Sequence, residues 1–214
     1  GAVGVMIDYA SAPQHPRTES EEARFQQVLA SMHGWYWHPR TPTLLCTDAI
    51  PSGDYSNTRS YMERGWCYVE LRLSSLVKAG ELLWELSKYD ATHKKDANIF
   101  DNLRKMLKAR IRRPPMSPTA LATEMRERVE RRELFFSYAA DLEPVIELYT
   151  RGFVQAFERM KGILEAVRPL VYLTAYGWGD SEAEVAADAI AYAESHCEIA
   201  PGEGPNFTFS DNYT

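Results

Sequence analysis

The sequence predicts an α/β fold, a parallel sheet flanked by helices, followed by a mainly helical C-terminal extension. Three observations carry that prediction. Short apolar runs and helical periodicities alternate as strand, helix, strand, helix through residues 1–90, the order that places parallel strands beneath crossing helices. Capping-box patterns stand at two helix starts, Thr18-Glu-Ser-Glu21 and Ser181-Glu-Ala-Glu184. One long apolar stripe recurs at helical spacing from Val145 to Val167.

In chain order, Val3-Gly-Val-Met-Ile7 is an apolar run bounded by Asp8 and read as a buried strand. Pro13 and Pro16 keep the next loop from becoming helix. The helix opened by Thr18 carries Phe25, Val28, Leu29 and Met32 on one face and is expected to stop at Gly34, leaving Trp35-Tyr-Trp-His38 as an aromatic cluster at its exit. Residues 41–47, centred on Leu44-Leu-Cys46, read as the second strand, and Ile50 to Tyr61 as a loop. Helix is expected again from Glu63 to about Tyr89.

Residues 91–133 change character. Between 94 and 132 there are 12 Lys and Arg against 5 Asp and Glu, which reads as a basic helical connection with a solvated face, or else as a surface for phosphates or an acidic partner. Within it, Arg112-Arg-Pro-Pro-Met-Ser-Pro118 breaks helix and is expected to be exposed. Residues 134–214 form the extension. Asp141 caps a helix from Leu142 to about Arg168, with Pro144 tolerable in its first turn. A short strand at Leu170 to Thr174, the turn Gly177-Trp-Gly-Asp180, another helix and a last strand signal at Phe207-Thr-Phe209 follow.

With 214 residues the chain is long enough for one core, or a core with an appendage. A net charge of -6 gives no reason to expect nucleic acid or an anionic membrane as partner, and no apolar run approaches the roughly 20 residues that span a bilayer. The opening has no basic flank or cleavage pattern, so it reads as the inside of a domain. Three widely spaced cysteines, Cys46, Cys67 and Cys197, fit a reducing, cytoplasmic compartment better than a disulfide framework. The glycosylation-like patterns at Asn206 and Asn212 then read as chance.

Glu70 is the residue to weigh. Trp66, Val69, Leu73, Leu76 and Val77 form an apolar stripe, and Glu70, four residues after Trp66 and three before Leu73, falls on it. Two readings stand side by side. The carboxylate is paired with a nearby arginine, Arg64 or Arg40, because burial without a partner costs several kcal/mol. Alternatively it faces a cleft, where it would bind ribose hydroxyls or stabilise an oxocarbenium-like transition state. Asp8, at a strand end, either caps the amides of its loop or faces a ligand there. His15, His33 and His38 with Cys46 match no zinc spacing, so no metal is expected. Cys67 beside Trp66 reads as a small apolar residue and not as a nucleophile.

Trp66-Cys-Tyr-Val-Glu-Leu71 resembles the W-C-x-x-E-L segment of Toll/interleukin-1 receptor (TIR) domains. The order of elements over residues 1–90 is similar to the part of that flavodoxin-like fold after its first strand and helix. Those two elements are missing here, so an exposed sheet edge is expected. A narrower resemblance rests on Ile7-Asp-Tyr-Ala-Ser-Ala-Pro-Gln14, Trp35-Tyr-Trp-His38, Arg64-Gly-Trp-Cys67 and Gly177-Trp-Gly-Asp180. These look like algal and protist proteins in which a TIR-like domain is often followed by leucine-rich repeats, and the chain from Leu170 would then lead toward such repeats.

The resemblance implies a signalling module that self-associates or assembles with other chains, with no cofactor and with NAD as a substrate in its enzymatic members. It carries onto Glu70 the cleavage of the nicotinamide–ribose bond. Asp8, Gln14, Trp35, Tyr36, Trp66 and Cys67 are the expected substrate-binding set. The alternative is a non-catalytic module that assembles with other chains, since many proteins of this fold have no catalysis.

Overall fold

A ten-residue helix that is buried on most of its circumference organises the molecule. The computed structural model describes residues 4–7, 11–13, 15–48, 53–54, 57–78, 82–90, 112–164, 170–172, 178–198 and 206–208. The described elements are α1 (Glu19–Trp37), β1 (Thr43–Leu45), α2 (Gly65–Ser74), β2 (Leu83–Glu85), α3 (Pro118–Glu130), α4 (Leu142–Leu164), β3 (Leu170–Tyr172), α5 (Asp180–His196) and β4 (Asn206–Thr208). Strand β1 pairs in parallel with β2, Thr43 opposite Leu83, and β3 in parallel with β4, Leu170 opposite Asn206. The molecule is thus mixed helix and parallel strand, compatible with the α/β class.

Helix α1 begins as expected. Glu21 N–H donates to Thr18 Oγ1 at 3.3 Å, and Thr18 N–H donates to Glu21 Oε2 at 2.8 Å. It runs through Gly34 to Trp37, because burial continues on Met32, His33 and Trp37 and outweighs the cost of about 1 kcal/mol for one helical glycine. What stops it is Pro39, which holds His38 in an extended conformation at φ -56°, ψ 125°. The aromatic cluster is therefore the last helical turn and not an exit loop.

Two further expectations are corrected. The run at 4–7 is not a strand among the described residues, and Val5 is 67% and Ile7 58% exposed. Ile7 N–H donates to Ser11 Oγ at 3.0 Å and Ser11 N–H to Ile7 O at 2.6 Å, so the Ile7 N–H is committed locally and not to a ladder. The predicted helix from 63 to 89 ends at Ser74. Ser75 Oγ turns back onto Leu71 O at 2.8 Å, and the later apolar run forms strand β2, with Leu83 and Trp84 buried. A short apolar run has no period that separates buried strand from helix.

The segment 112–118, expected to be exposed, is buried except at Arg113. Its three prolines bring no N–H that burial would leave unmet. Two of its carbonyls are met by buried side chains: Trp178 Nε1 donates to Arg112 O at 3.1 Å and the Tyr149 hydroxyl to Met116 O at 2.7 Å. The Arg112 guanidinium donates to Ser75 O at 3.3 Å. Ser117 then caps α3, accepting from Ala120 N–H at 3.2 Å.

Helix α4 buries Val145, Tyr149, Phe153, Ala156 and Phe157 completely, as the stripe predicts. One apolar cluster runs from Met32 and Trp37 through α2, Met116 and α4 to Ala193 and Cys197. A second, formed by Leu45, Leu71 and Leu83, joins the β1–β2 sheet to α2. Helices α1, α2 and α4 approach closely at Gly152, where a Cβ atom would lie 2.6 Å from Leu73 Cδ2 and 3.2 Å from His33 Cβ. Among the described residues no helix is long and apolar enough to cross a membrane.

Candidate functional site

Helix α2 divides into faces of different environment. Tyr68, Val69 and residues 71–78 are buried, whereas Trp66, Cys67 and Glu70 are half-buried. Positions 66, 67 and 70 lie on one side of a helix, so Glu70 occupies the least covered face of a nearly enclosed helix and not its buried stripe. The Trp66 indole is held by its Nε1, which donates to Asp141 Oδ2 at 3.1 Å just ahead of α4. Arg64, one of the two expected partners of Glu70, donates its Nε to Arg59 O at 2.9 Å.

The other expected site residues are distributed as follows. Tyr36 is half-buried and packs against the main core. Trp35, on the same last turn of α1, is 53% exposed. Asp8 and Gln14 lie outside the described residues. The structure thus brings Trp66, Cys67 and Glu70 together on one side of α2.

Behind that face lies a polar network that sequence spacing does not reveal. The Tyr68 hydroxyl donates to Glu124 Oε1 at 2.7 Å and accepts from Arg72 Nε at 2.9 Å. Arg72 also reaches Glu124 Oε2 at 3.4 Å, and the Arg128 guanidinium lies 4.7 Å from the Tyr68 ring centroid. Burial pushes the Tyr68 hydroxyl up to about 12, so it remains a proton donor at neutral pH. Each polar group here satisfies another, which suits a structural fastening of α2 to α3 better than chemistry. The i,i+4 relation of Tyr68 and Arg72 is visible in sequence; Glu124 is not.

The second group missed by sequence reading is Lys78. It is fully buried, its Nζ donates to Thr43 Oγ1 at 2.5 Å, and Thr43 Oγ1 lies 3.3 Å from Ser74 Oγ. Burial pushes its pKa down to about 7. His38 is also held below its ordinary value, by burial first and then by the charges of Arg159, Lys78 and Arg40.

The histidines and cysteines are dispersed. His15 contacts Arg17, His33 Nε2 is 2.8 Å from Gln155 Oε1, and His38 sits at the end of α1. Among the described residues no three His, Cys, Asp or Glu side chains are grouped to hold a metal ion. Cys46 is exposed, Cys67 half-buried and Cys197 buried, none in a disulfide. Burial, with the charge of Glu158, pushes the Cys197 thiol up to about 11.

No family model, curated protein or solved structure matches the chain.

Proposed function

We propose that the chain is a self-associating signalling module of TIR type whose Glu70 carries cleavage of the nicotinamide–ribose bond of NAD. The observation that supports this is the placement of Glu70, half-buried beside the half-buried Trp66 and Cys67 in a β1–α2–β2 unit with parallel strands. A half-buried carboxylate keeps access to a ligand while its surroundings strengthen its field.

The chemistry asks little of a general acid. The nicotinamide ring is cationic while bound to ribose, so the bonding pair leaves with the ring nitrogen and the ring departs neutral. Positive charge develops on the ribose, where the Glu70 carboxylate stabilises it and orients the hydroxyls. Water then adds to the anomeric carbon and releases a proton.

A second reading, a module that assembles with other chains without catalysis, is favoured by a different observation. Strand β1 pairs only with β2 among the described residues, and Leu44 on it is 46% exposed, so a sheet edge stands ready for a partner strand. The two readings share the assembly and differ in Glu70.

Incubation with NAD at high protein concentration separates the readings. The native protein is expected to release nicotinamide and Glu70→Ala to release about a hundredfold less or none, with an unchanged circular dichroism spectrum. Equal release by both proteins removes Glu70 from the reaction. Release by neither leaves the non-catalytic module.

A further inference from the structure

The first turn of α2 is fixed by the chain that connects α3 to α4. Gly65 N–H donates to Phe135 O at 2.8 Å, and Phe135 N–H donates to Glu63 O at 2.9 Å, so Phe135 lies across the start of the helix. The Phe136 ring sits directly on the Gly65 Cα, where a Cβ atom would run into Cζ and Cε1 of the ring. Gly65 is buried and Phe136 half-buried. The backbone that leads into Trp66 therefore has little freedom, and what is left to decide is the direction of the indole.

Asp141 decides it. This residue stands at the end of the same connection, and its Oδ2 accepts from Trp66 Nε1 at 3.1 Å. Both side chains are half-buried. At such a position water can take an indole N–H at little cost, so a fixed carboxylate acceptor contributes direction more than stability. The ring it directs precedes Glu70 by one helical turn on the same face.

We propose that Asp141 is a positioning residue for this face. Through Trp66 it sets the plane of an aromatic wall against which a planar cationic ring, the nicotinamide of NAD, is held beside Glu70. This role rests on the reading of Glu70 and Trp66 as the NAD-binding face, and it assigns a part in that face to a residue 75 positions further along the chain. A planar cation gains stacking and cation–π attraction from an indole, and both depend on how the indole is turned. An indole free to rotate offers its edge as well as its face. Loss of Asp141 therefore weakens capture of NAD and leaves the carboxylate chemistry of Glu70 as it was.

The test uses Asp141→Ser and Asp141→Asn in the whole chain. Serine serves a helix N-terminus as well as aspartate does but is too short to reach the indole, whereas asparagine keeps an acceptor oxygen in place. Trp66→Phe identifies the Trp66 indole N–H resonance among those of the five tryptophans. Asp141→Ser is expected to shift that resonance and leave the other indoles unmoved. NAD affinity is measured by calorimetric titration in the Glu70→Ala background, where the ligand stays intact. Asp141→Ser is expected to weaken it about tenfold, and Asp141→Asn to recover most of the loss. With Glu70 present, Asp141→Ser is expected to raise KM for NAD by the same factor while kcat stays within about twofold. In Trp66→Phe, which has no indole N–H, Asp141→Ser is expected to have no further effect, because one residue acts through the other. An aspartate that only supports the fold would weaken binding equally in both backgrounds, and that result overturns the proposal. So does an indole resonance that Asp141→Ser leaves in place, or a Glu70→Ala protein that binds no NAD. NAD binding that depends on Asp141, without nicotinamide release by the native protein, removes the reaction at Glu70 and supports the positioning role.

Discussion

At the scale of single residues, the chain places its two most informative side chains on opposite sides of an expectation. Glu70, expected on the buried stripe, is half-buried, whereas Lys78, unremarked in sequence, is fully buried. The lysine carries a stability consequence with a definite sign. Its pKa falls from 10.5 in the free side chain to about 7 in the folded protein. Between those values the unfolded chain binds a proton that the folded chain does not, so folding stability rises with pH from about 7 to 10.5. Below pH 7 both states are protonated and the full penalty applies, on the order of 5 kcal/mol. Lys78→Met removes it. Urea denaturation across that range is expected to show the variant more stable at pH 7 and lacking the rise toward pH 10. A variant curve parallel to that of the native protein would place the lysine in a solvated setting.

At the scale of elements, what was legible in sequence is what neighbours along the chain decide. The Thr18–Glu21 box and the Val145–Phe157 stripe depend on spacings of three and four, and both form as read. What was not legible depends on residues far apart. Whether the run at Leu83 is helix or strand is decided by pairing with Thr43–Leu45. Whether the proline segment is exposed is decided by Tyr149 and Trp178. In the candidate site, the spacing of Trp66, Cys67 and Glu70 was visible. Which face of α2 remains uncovered was not, since α1 and α4 determine it by how they pack. Gly152 shows how tight that packing is. Gly152→Val places methyl groups where Leu73 and His33 already stand, and is expected to cost about 2 kcal/mol, read as a lowered urea midpoint. Alanine is a poorer test, because its gain of about 1 kcal/mol in helix propensity opposes the clash.

At the scale of the whole molecule, the main apolar cluster takes members from both ends of the described chain. Val69, Leu73 and Leu76 of the first part meet Tyr149, Phe153 and Phe157 of the second within one core. The fastenings have the same character: Tyr68 and Arg72 to Glu124, Trp66 to Asp141, and Arg112 to Ser75. The candidate face on α2 is therefore shaped by helices that follow it in sequence, and the motif around Glu70 does not carry its own surroundings with it.

That shared core makes the chain a pair of complementary fragments and not two transferable modules. Residues 1–90 produced alone would leave the side of α2 that meets α4 bare, and residues 112–214 alone would leave α4 without its mate. Each piece is expected to aggregate or to give a weakly dispersed proton spectrum. Co-expressed from separate genes, the two are expected to purify together and regain the dispersion of the intact chain. Well-folded monomers of either piece alone would show that α2 and α4 need not be joined to be stable.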